Sequence, residues 1–132
     1  MAGNVLILDK MENQPERPLG KRILLVDDER SVRENLCQLL RLDDHIVMEA
    51  NNGAEALAFF AQHQFDVVLT DFVMPFIEGA ELAVRIKQCD PDLPILMITG
   101  HDVHAGRNNP VNGVLKKPFG LGELRSALAE VL

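Results

Sequence analysis

Residues 23–29 read ILLVDDE, four apolar residues followed directly by three acidic ones. A short, unbroken apolar run is typical of a strand in a parallel sheet that is covered on both faces. Residues 31–42, SVRENLCQLLRL, come next and place their apolar side chains at helical spacing. The two stretches therefore predict a strand followed by a helix, with Asp27 and Asp28 at the carboxyl end of the strand.

The same alternation continues along the rest of the chain. Further strands are predicted over residues 45–50, 65–70, 94–99 and 114–116, and further helices over residues 54–62, 80–88 and 121–132. Strands that alternate with helices form parallel sheets with right-handed crossovers. We therefore expect a doubly wound α/β fold around a five-stranded parallel sheet, with the first and third strands in central positions.

One crossover interrupts this rhythm. Residues 100–113, GHDVHAGRNNPVNG, lie where a fourth crossover helix belongs, but they include Gly106, Asn108, Asn109, Pro110 and Gly113. These residue types oppose the continuation of a helix. We expect a loop there, or a helix of one or two turns at most.

Length and charge limit the function classes. The chain has 132 residues and a formal net charge of −7, which fits one domain and disfavours direct binding of nucleic acid through the bulk surface. It contains no apolar run long enough to span a membrane and no recognisable secretory signal. We therefore expect a cytoplasmic protein that does not associate with membranes.

The first twenty residues differ from the remainder. Residues 11–20, MENQPERPLG, are polar and contain two prolines, so we predict a flexible arm over residues 1–20 and a domain over residues 21–132. Residues 5–8, VLIL, form either an added edge strand or part of the tail. Cys37 and Cys89 lie in helical apolar patterns, which favours buried free thiols over a disulfide.

Polar side chains occur where the predicted strands end. Asp27 and Asp28 follow the first strand, Asp71 ends the third, Thr99 ends the fourth and Lys117 follows the fifth. Because open α/β sheets bind ligands at the carboxyl ends of their strands, these side chains are expected at one site. Each has an ordinary structural role available to it, such as helix capping by an aspartate. Their coincidence at one sheet edge favours a functional site.

These residue types suit phosphoryl transfer. Carboxylates that lie close together repel one another, and a hard cation such as Mg²⁺ relieves the repulsion while it accepts phosphate oxygens. A carboxylate can attack phosphorus to give an acyl phosphate. Lys117 supplies a cation and Thr99 a hydroxyl for the phosphoryl oxygens.

The constellation resembles the receiver domain of two-component response regulators. The resemblance is carried by residues 23–29 (ILLVDDE), 67–79 (VVLTDFVMPFIEG), 95–100 (ILMITG) and 116–119 (KKPF), and it covers nearly all of residues 21–132. It implies a flavodoxin-like sheet with strand order 2-1-3-4-5. It also implies a phosphorelay switch that accepts a phosphoryl group from a sensor histidine kinase or a phosphotransfer protein and then changes its binding to an output partner. The domain would be a signalling receiver rather than an enzyme.

The resemblance further implies a role for each matching position. Asp71 would be the phosphoacceptor, and Thr99 and Lys117 would contact the phosphoryl group. Mg²⁺ would be held by Asp27, Asp28, Asp71 and the main-chain carbonyl of Val73. Lys117 would precede a cis peptide at Pro118.

Several positions depart from the family pattern. Val114 occupies the place where a Tyr or Phe usually reports movement of the strand-end Thr, and the segment between Thr99 and Lys117 is a few residues shorter than usual. Val73 cannot orient an attacking water, so a comparatively long-lived phosphate is expected. His101 is expected either in an exposed loop or beside the site.

Three other functions compete with this interpretation. A phosphatase resembling the haloacid dehalogenases would need an Asp two residues after its nucleophile, where Val73 stands. A flavin-binding protein would need a hydroxyl-rich phosphate loop after the first strand, where the acidic residues 27–29 would repel phosphate. A degenerate receiver that binds partners without phosphorylation is suggested by the unusual fourth crossover.

Overall fold

The computed structural model of the protein describes residues 17–132. The first sixteen residues of the predicted arm, and with them the alternatives for residues 5–8, lie outside this part. Within it, a sheet of five parallel strands has the order β2-β1-β3-β4-β5. The strands are β1 (Arg22–Val26), β2 (Ile46–Ala50), β3 (Val67–Asp71), β4 (Ile95–Thr99) and β5 (Gly113–Lys116), and the helices are α1 (Arg30–Arg41), α2 (Gly53–Gln62), α3 (Gly79–Cys89) and α4 (Leu121–Val131).

The strands with the longest apolar runs occupy the interior of the sheet. β1, β3 and β4 are flanked by strands on both sides, and their apolar side chains are almost fully buried. The two outer strands expose more of their residues: Ile46 at the start of β2 is exposed, and so is Lys116 at the end of β5. The predicted doubly wound sheet with β1 and β3 in its interior is confirmed.

Two apolar layers hold the helices against the sheet. One layer joins Leu24, Val26 and Val68 to Leu82 and Ile86 of α3. The other joins strand residues to α1 and α4 through Leu36, Leu40, Leu124 and Leu128. Because successive strand residues point to opposite faces, β1 contributes to both layers. The carboxyl edge of the sheet is thereby fixed from both sides.

Residues 100–112, all of which are described, contain no helix. Gly106 and Asn109 form a two-residue antiparallel bridge, with N–H to carbonyl distances of 2.9 and 3.0 Å. Asn112 then returns the chain to β4, because its N–H donates to the carbonyl of Ile95 at 2.8 Å and its side-chain oxygen accepts the N–H of Ile95 at 2.9 Å. The predicted loss of the fourth crossover helix is confirmed.

A buried carboxylate fastens the opposite, amino end of the sheet. Asp43, between α1 and β2, is 3% exposed and accepts two hydrogen bonds from the guanidinium of Arg125 on α4, at 2.8 and 3.0 Å. The guanidinium of Arg17 lies 3.6 Å away. The N–H of Gly20 donates to the carbonyl of Asp43 at 3.0 Å. Asp43 therefore joins the start of the described chain to its last helix.

The two cysteines behave differently from each other. Both are free, as predicted, and Cys37 is buried on the inner face of α1. Cys89 is exposed, so the prediction that it is buried is wrong. The reason is its place as the last residue of α3, since the buried face of that helix ends at Ile86.

Candidate functional site

Three aspartates meet at the carboxyl edge of the sheet. β1 and β3 are neighbours in register, with Val26 opposite Thr70, so the residues that follow these two positions come together. One carboxylate oxygen from each of Asp27, Asp28 and Asp71 lies within 4.8 Å of the other two. We call this group the acidic pocket. The sequence therefore placed its carboxylates correctly, although Asp71 is far from the other two along the chain.

Asp27 forms the buried floor of the acidic pocket and is 2% exposed. Its Oδ1 accepts the N–H of Glu29 at 2.9 Å, and its Oδ2 lies 3.8 Å from Nζ of Lys117. Burial raises the pKa of Asp27 above its usual value. The Glu29 N–H opposes this rise, the Asp71 carboxylate adds to it, and Lys117 opposes it. Asp27 is thus a carboxylate whose charge is only partly compensated by its surroundings.

Asp71 is the last residue of β3 and is half-buried. Its Oδ1 accepts the N–H of Phe72 at 2.8 Å. Burial raises the pKa of Asp71, against the lowering effects of Lys117 and of the Phe72 hydrogen bond. The other carboxylate oxygen has no hydrogen bond to the described residues that would hold it back from a ligand.

A glycine lets the chain close behind Asp71. The N–H of Gly79 donates to the carbonyl of Phe72 at 2.9 Å. A Cβ at Gly79 would stand 2.1 Å from the carbonyl oxygen of Asp71, which is impossible without a backbone shift. Gly79 therefore permits α3 to begin directly against the strand that carries Asp71.

Thr99 and Lys117 approach the same edge from β4 and β5. Thr99 is fully buried, and its Oγ1 accepts the N–H of His101 at 3.0 Å. The N–H of Lys117 donates to the carbonyl of Thr99 at 2.9 Å, which ties the two residues together. The Lys117–Pro118 peptide bond is cis, as the family resemblance implied.

Val73 and His101 stand at the rim. Val73 follows Asp71 by two residues and is 49% exposed. Its aliphatic side chain faces solvent and supplies no polar group. His101 is exposed, with its ring centroid 6.3 Å from that of Phe72. His101 thus lies in an exposed loop, and a modulating effect of its side chain on the site stays a prediction.

One residue of this region was missed by the sequence analysis. Arg33 of α1 donates a hydrogen bond from Nη1 to the main-chain carbonyl of Asp27 at 2.9 Å. Its Nε lies 3.4 Å from Oε1 of Glu49 on β2. The signal in the sequence was two arginines, Arg30 and Arg33, in the first turn of a helix that has no acidic residue there. Cations are unfavourable at a helix N-terminus, so such a pattern requires a local partner.

The donors of the acidic pocket suit a hard divalent cation. All three are carboxylates, and their oxygens lie close enough together to share one ion. Burial is the main cause that raises the pKa of Asp27 and of Asp71, so a bound cation would favour the charged form of both carboxylates. The residues present therefore fit Mg²⁺. The main-chain carbonyl of Val73 as a further ligand stays a prediction.

The sequence matches the family description "Response regulator receiver domain" over residues 23–129. The chain belongs to the response regulator receiver family. That match covers most of the chain, and it follows the same residues that build the sheet and the acidic pocket. The receiver fold and a place in two-component signalling are thereby established for this chain.

Individual relatives agree with this assignment. The response regulator MprA of Mycobacterium leprae is 37% identical over 115 residues, which cover 84% of this chain and 50% of that protein. The chemotaxis protein CheY4 of Vibrio cholerae is 30% identical with a TM-score of 0.79, covering 87% of this receiver and all (100%) of that chain. The response regulator TrrA of Thermotoga maritima, solved in complex with Mg²⁺-BeF, is 33% identical with a TM-score of 0.77, covering 85% and 99% of the two chains.

The curated relatives are longer proteins than this chain. This receiver spans about half the length of the curated relatives that it matches. Among residues 17–132, none of the helices combines the length and the apolar character that crossing a bilayer requires.

Proposed function

We propose that this receiver takes a phosphoryl group onto Asp71 from a phosphohistidine of a sensor kinase or a phosphotransfer protein, and that this changes its binding to an output partner. The observation that carries the proposal is the convergence of Asp27, Asp28 and Asp71 within 4.8 Å of one another, with the Lys117 ammonium 3.8 Å from Asp27. The domain responsible would comprise residues 21–132, in the cytoplasm.

The chemistry assigns a separate task to each side chain. An oxygen of the Asp71 carboxylate forms a bond to phosphorus while the phosphorus–nitrogen bond of the donor breaks, and the bonding electron pair leaves with the imidazole nitrogen. Mg²⁺, held by Asp27, Asp28, Asp71 and the Val73 carbonyl, would neutralise phosphoryl oxygens and the crowded carboxylates. Since phosphoryl transfer depends chiefly on positioning and charge stabilisation, the protein needs no general base at this step.

Lys117 and Thr99 are proposed to hold the phosphoryl group after transfer. Lys117 already lies beside the acidic pocket and is partly exposed, so its ammonium can move towards a new anion. Thr99 would donate its hydroxyl proton to a phosphoryl oxygen. In the unphosphorylated protein its Oγ1 accepts the His101 N–H. A movement of Thr99 would therefore first displace His101, near the start of residues 100–112.

The test uses a small donor, so that no partner protein is needed. The protein is incubated with Mg²⁺ and acetyl phosphate, and its intact mass is recorded. The wild type should gain one phosphoryl group, and Asp71→Ala should gain none. Asp66→Ala, which removes an aspartate outside the acidic pocket, is the matched control and should be labelled like the wild type.

A wild type that stays unlabelled under conditions that label a known receiver would refute the proposed phosphotransfer. That outcome would favour a receiver that binds partners without phosphorylation. Labelling that persists in Asp71→Ala would place the acceptor on another residue and would contradict the role of Asp71.

A further inference from the structure

We propose that Arg33 is a positioning residue for the acidic pocket: by holding the main-chain carbonyl of Asp27, it fixes the two neighbouring carboxylates in the arrangement that binds Mg²⁺. This inference rests on the proposed metal-dependent function. It concerns a side chain that contacts neither of those carboxylates through its own hydrogen bonds.

Arg33 contacts the peptide group that joins the two adjacent aspartates. The carbonyl of Asp27 belongs to the peptide plane that joins Asp27 to Asp28, so its direction sets how both side chains leave the chain. Nη1 of Arg33 holds that oxygen at 2.9 Å. On the other side of the same residue, the N–H of Asp27 donates to the carbonyl of Ala50 at 3.2 Å. The turn after β1 is thus held from two directions.

Arg33 is itself held in place by β2. Its Nε stands 3.4 Å from Oε1 of Glu49, and the side chain is 15% exposed. Glu49 pairs in register with Leu25 of β1, so the carboxylate that pairs with Arg33 belongs to the strand beside β1, which ends directly before Asp27. Arg33 therefore links Glu49 of β2 to the Asp27 peptide. We call these three groups the bracket.

The cost of this arrangement points to a purpose beyond helix stability. Nε of Arg33 is buried and makes no hydrogen bond to the described residues, and a cation in the first turn of α1 opposes the helix dipole. Arg30 occupies the same turn but is 83% exposed and pairs with Glu34 at 2.7 Å. Arg30 can therefore be removed as a control for charge and helix position without loss of the bracket.

The experiment measures affinity for Mg²⁺ alone, by isothermal titration calorimetry at a temperature well below unfolding. Residues that orient metal ligands typically change metal affinity about 10- to 100-fold when they are replaced. Arg33→Met should weaken Mg²⁺ binding by about tenfold, whereas Arg30→Met should bind like the wild type. Arg33→Lys, which keeps one donor for the Asp27 carbonyl, should recover part of the loss.

A purely structural role would give a different pattern. Arg33→Met would then unfold at lower temperature, but its folded form would bind Mg²⁺ as tightly as the wild type, and that result would overturn the proposal. If Arg33→Met does not fold, Glu49→Gln decides, because it removes the negative charge that pairs with Arg33 and keeps the size of the side chain. It should weaken Mg²⁺ binding severalfold, and unchanged affinity would overturn the proposal.

Failure of the inference and failure of the proposed function give different results. A wild type that binds no Mg²⁺ and is not labelled by acetyl phosphate would remove the proposed function, and the inference with it. A wild type that binds Mg²⁺ and is labelled, while Arg33→Met matches it in affinity, would remove the inference alone.

Discussion

Asp27 and Asp43 are both buried carboxylates, but they stand at opposite ends of the sheet in opposite electrostatic settings. Asp43 accepts two hydrogen bonds from Arg125, and this lowers the pKa of its carboxyl group. Asp27 has one main-chain hydrogen bond and a more distant Lys117, and burial raises the pKa of its carboxyl group. Thus the protein compensates one buried charge closely and leaves the other partly uncompensated.

The difference distinguishes a carboxylate that stabilises the fold from one that is proposed to bind a metal ion. At the amino end, Arg125 and Arg17 bring cations to Asp43, so no further group is required. At the carboxyl end, Asp28 and Asp71 add negative charge beside Asp27. An uncompensated cluster costs stability in the free protein, and such costs are characteristic of functional sites.

The largest expected effect on stability is at Asp43. Asp43→Asn removes the charge that accepts two hydrogen bonds from the partly exposed guanidinium of Arg125. It should lower the free energy of unfolding by about 1.5 kcal/mol, the lower end for hydrogen bonds to a charged group. Urea unfolding measures it.

The control for Asp43 is the exposed pair of Glu81 and Arg85 on α3, whose atoms lie 2.9 Å apart. Glu81→Gln should change the free energy of unfolding by less than about 0.5 kcal/mol, since exposed helix pairs contribute little. Equal losses of unfolding free energy in the two variants would show that the ion pair of Asp43 contributes no more than an exposed one.

Replacing Asp27 should have the opposite sign. With EDTA present, Asp27→Asn should raise the free energy of unfolding by about 1 kcal/mol, because it removes a buried charge and keeps an oxygen for the Glu29 N–H. The same variant should lose most of its Mg²⁺ affinity. Urea unfolding with EDTA and calorimetry with Mg²⁺ measure the two effects, and a destabilised, metal-free Asp27→Asn would contradict this account.

The two aspartates should also respond to pH in different windows. The pKa of Asp27 is raised in the folded protein. The protonated carboxyl therefore contributes stability at pH values below the pKa of the unfolded state, and this contribution is lost as the pH rises through the folded-state pKa. The advantage of Asp27→Asn should therefore shrink as pH falls from neutral towards about 4. A lowered pKa gives stability that is lost only as pH falls through the folded value.

The deficit of Asp43→Asn should accordingly persist to about pH 4 and diminish only below it. Urea unfolding of both variants and the wild type across this range, with EDTA, provides the comparison. Parallel curves for the two variants would show that their carboxylates do not differ as described.

The smallest expected effect concerns the exposed rim of the acidic pocket. Val73→Asn should shorten the lifetime of the phosphorylated protein severalfold, because an amide can orient an attacking water and the isopropyl group cannot. Loss of the added phosphoryl mass over time, after removal of acetyl phosphate, measures it. Decay that is no faster than in the wild type would count against this role of Val73.

Sequence patterns were sufficient for the fold because they are local. The apolar run of residues 23–26 and the acidic residues after it identify a buried strand and its carboxyl end, and the structure places β1 over Arg22–Val26. Gly106 and Pro110 interrupt helical spacing, and residues 100–112 contain no helix. The parallel sheet then brings Asp27 and Asp71 together without further information.

Contacts between distant residues were beyond those patterns. Asp43 and Arg125 are 82 positions apart, and each alone is an ordinary charged residue beside a loop or on a helix. Arg33 required knowledge of where the Asp27 carbonyl points. Cys89 was assigned to the interior from helical spacing, which cannot show that α3 extends past the core it packs on.

The short connection from β4 to β5 is fastened at its return by Asn112, which Lys87 also holds through a 2.7 Å hydrogen bond from Nζ to its side-chain oxygen. Because hydrogen bonds hold the end of this loop, its length can change without shifting the register of β4 and β5. Doubling the length of a flexible loop costs only about 0.6 kcal/mol in closure entropy. Residues 107 and 108, both exposed between the bridged Gly106 and Asn109, therefore offer a site where a reporter or a binding peptide could be inserted while the sheet and the acidic pocket keep their geometry.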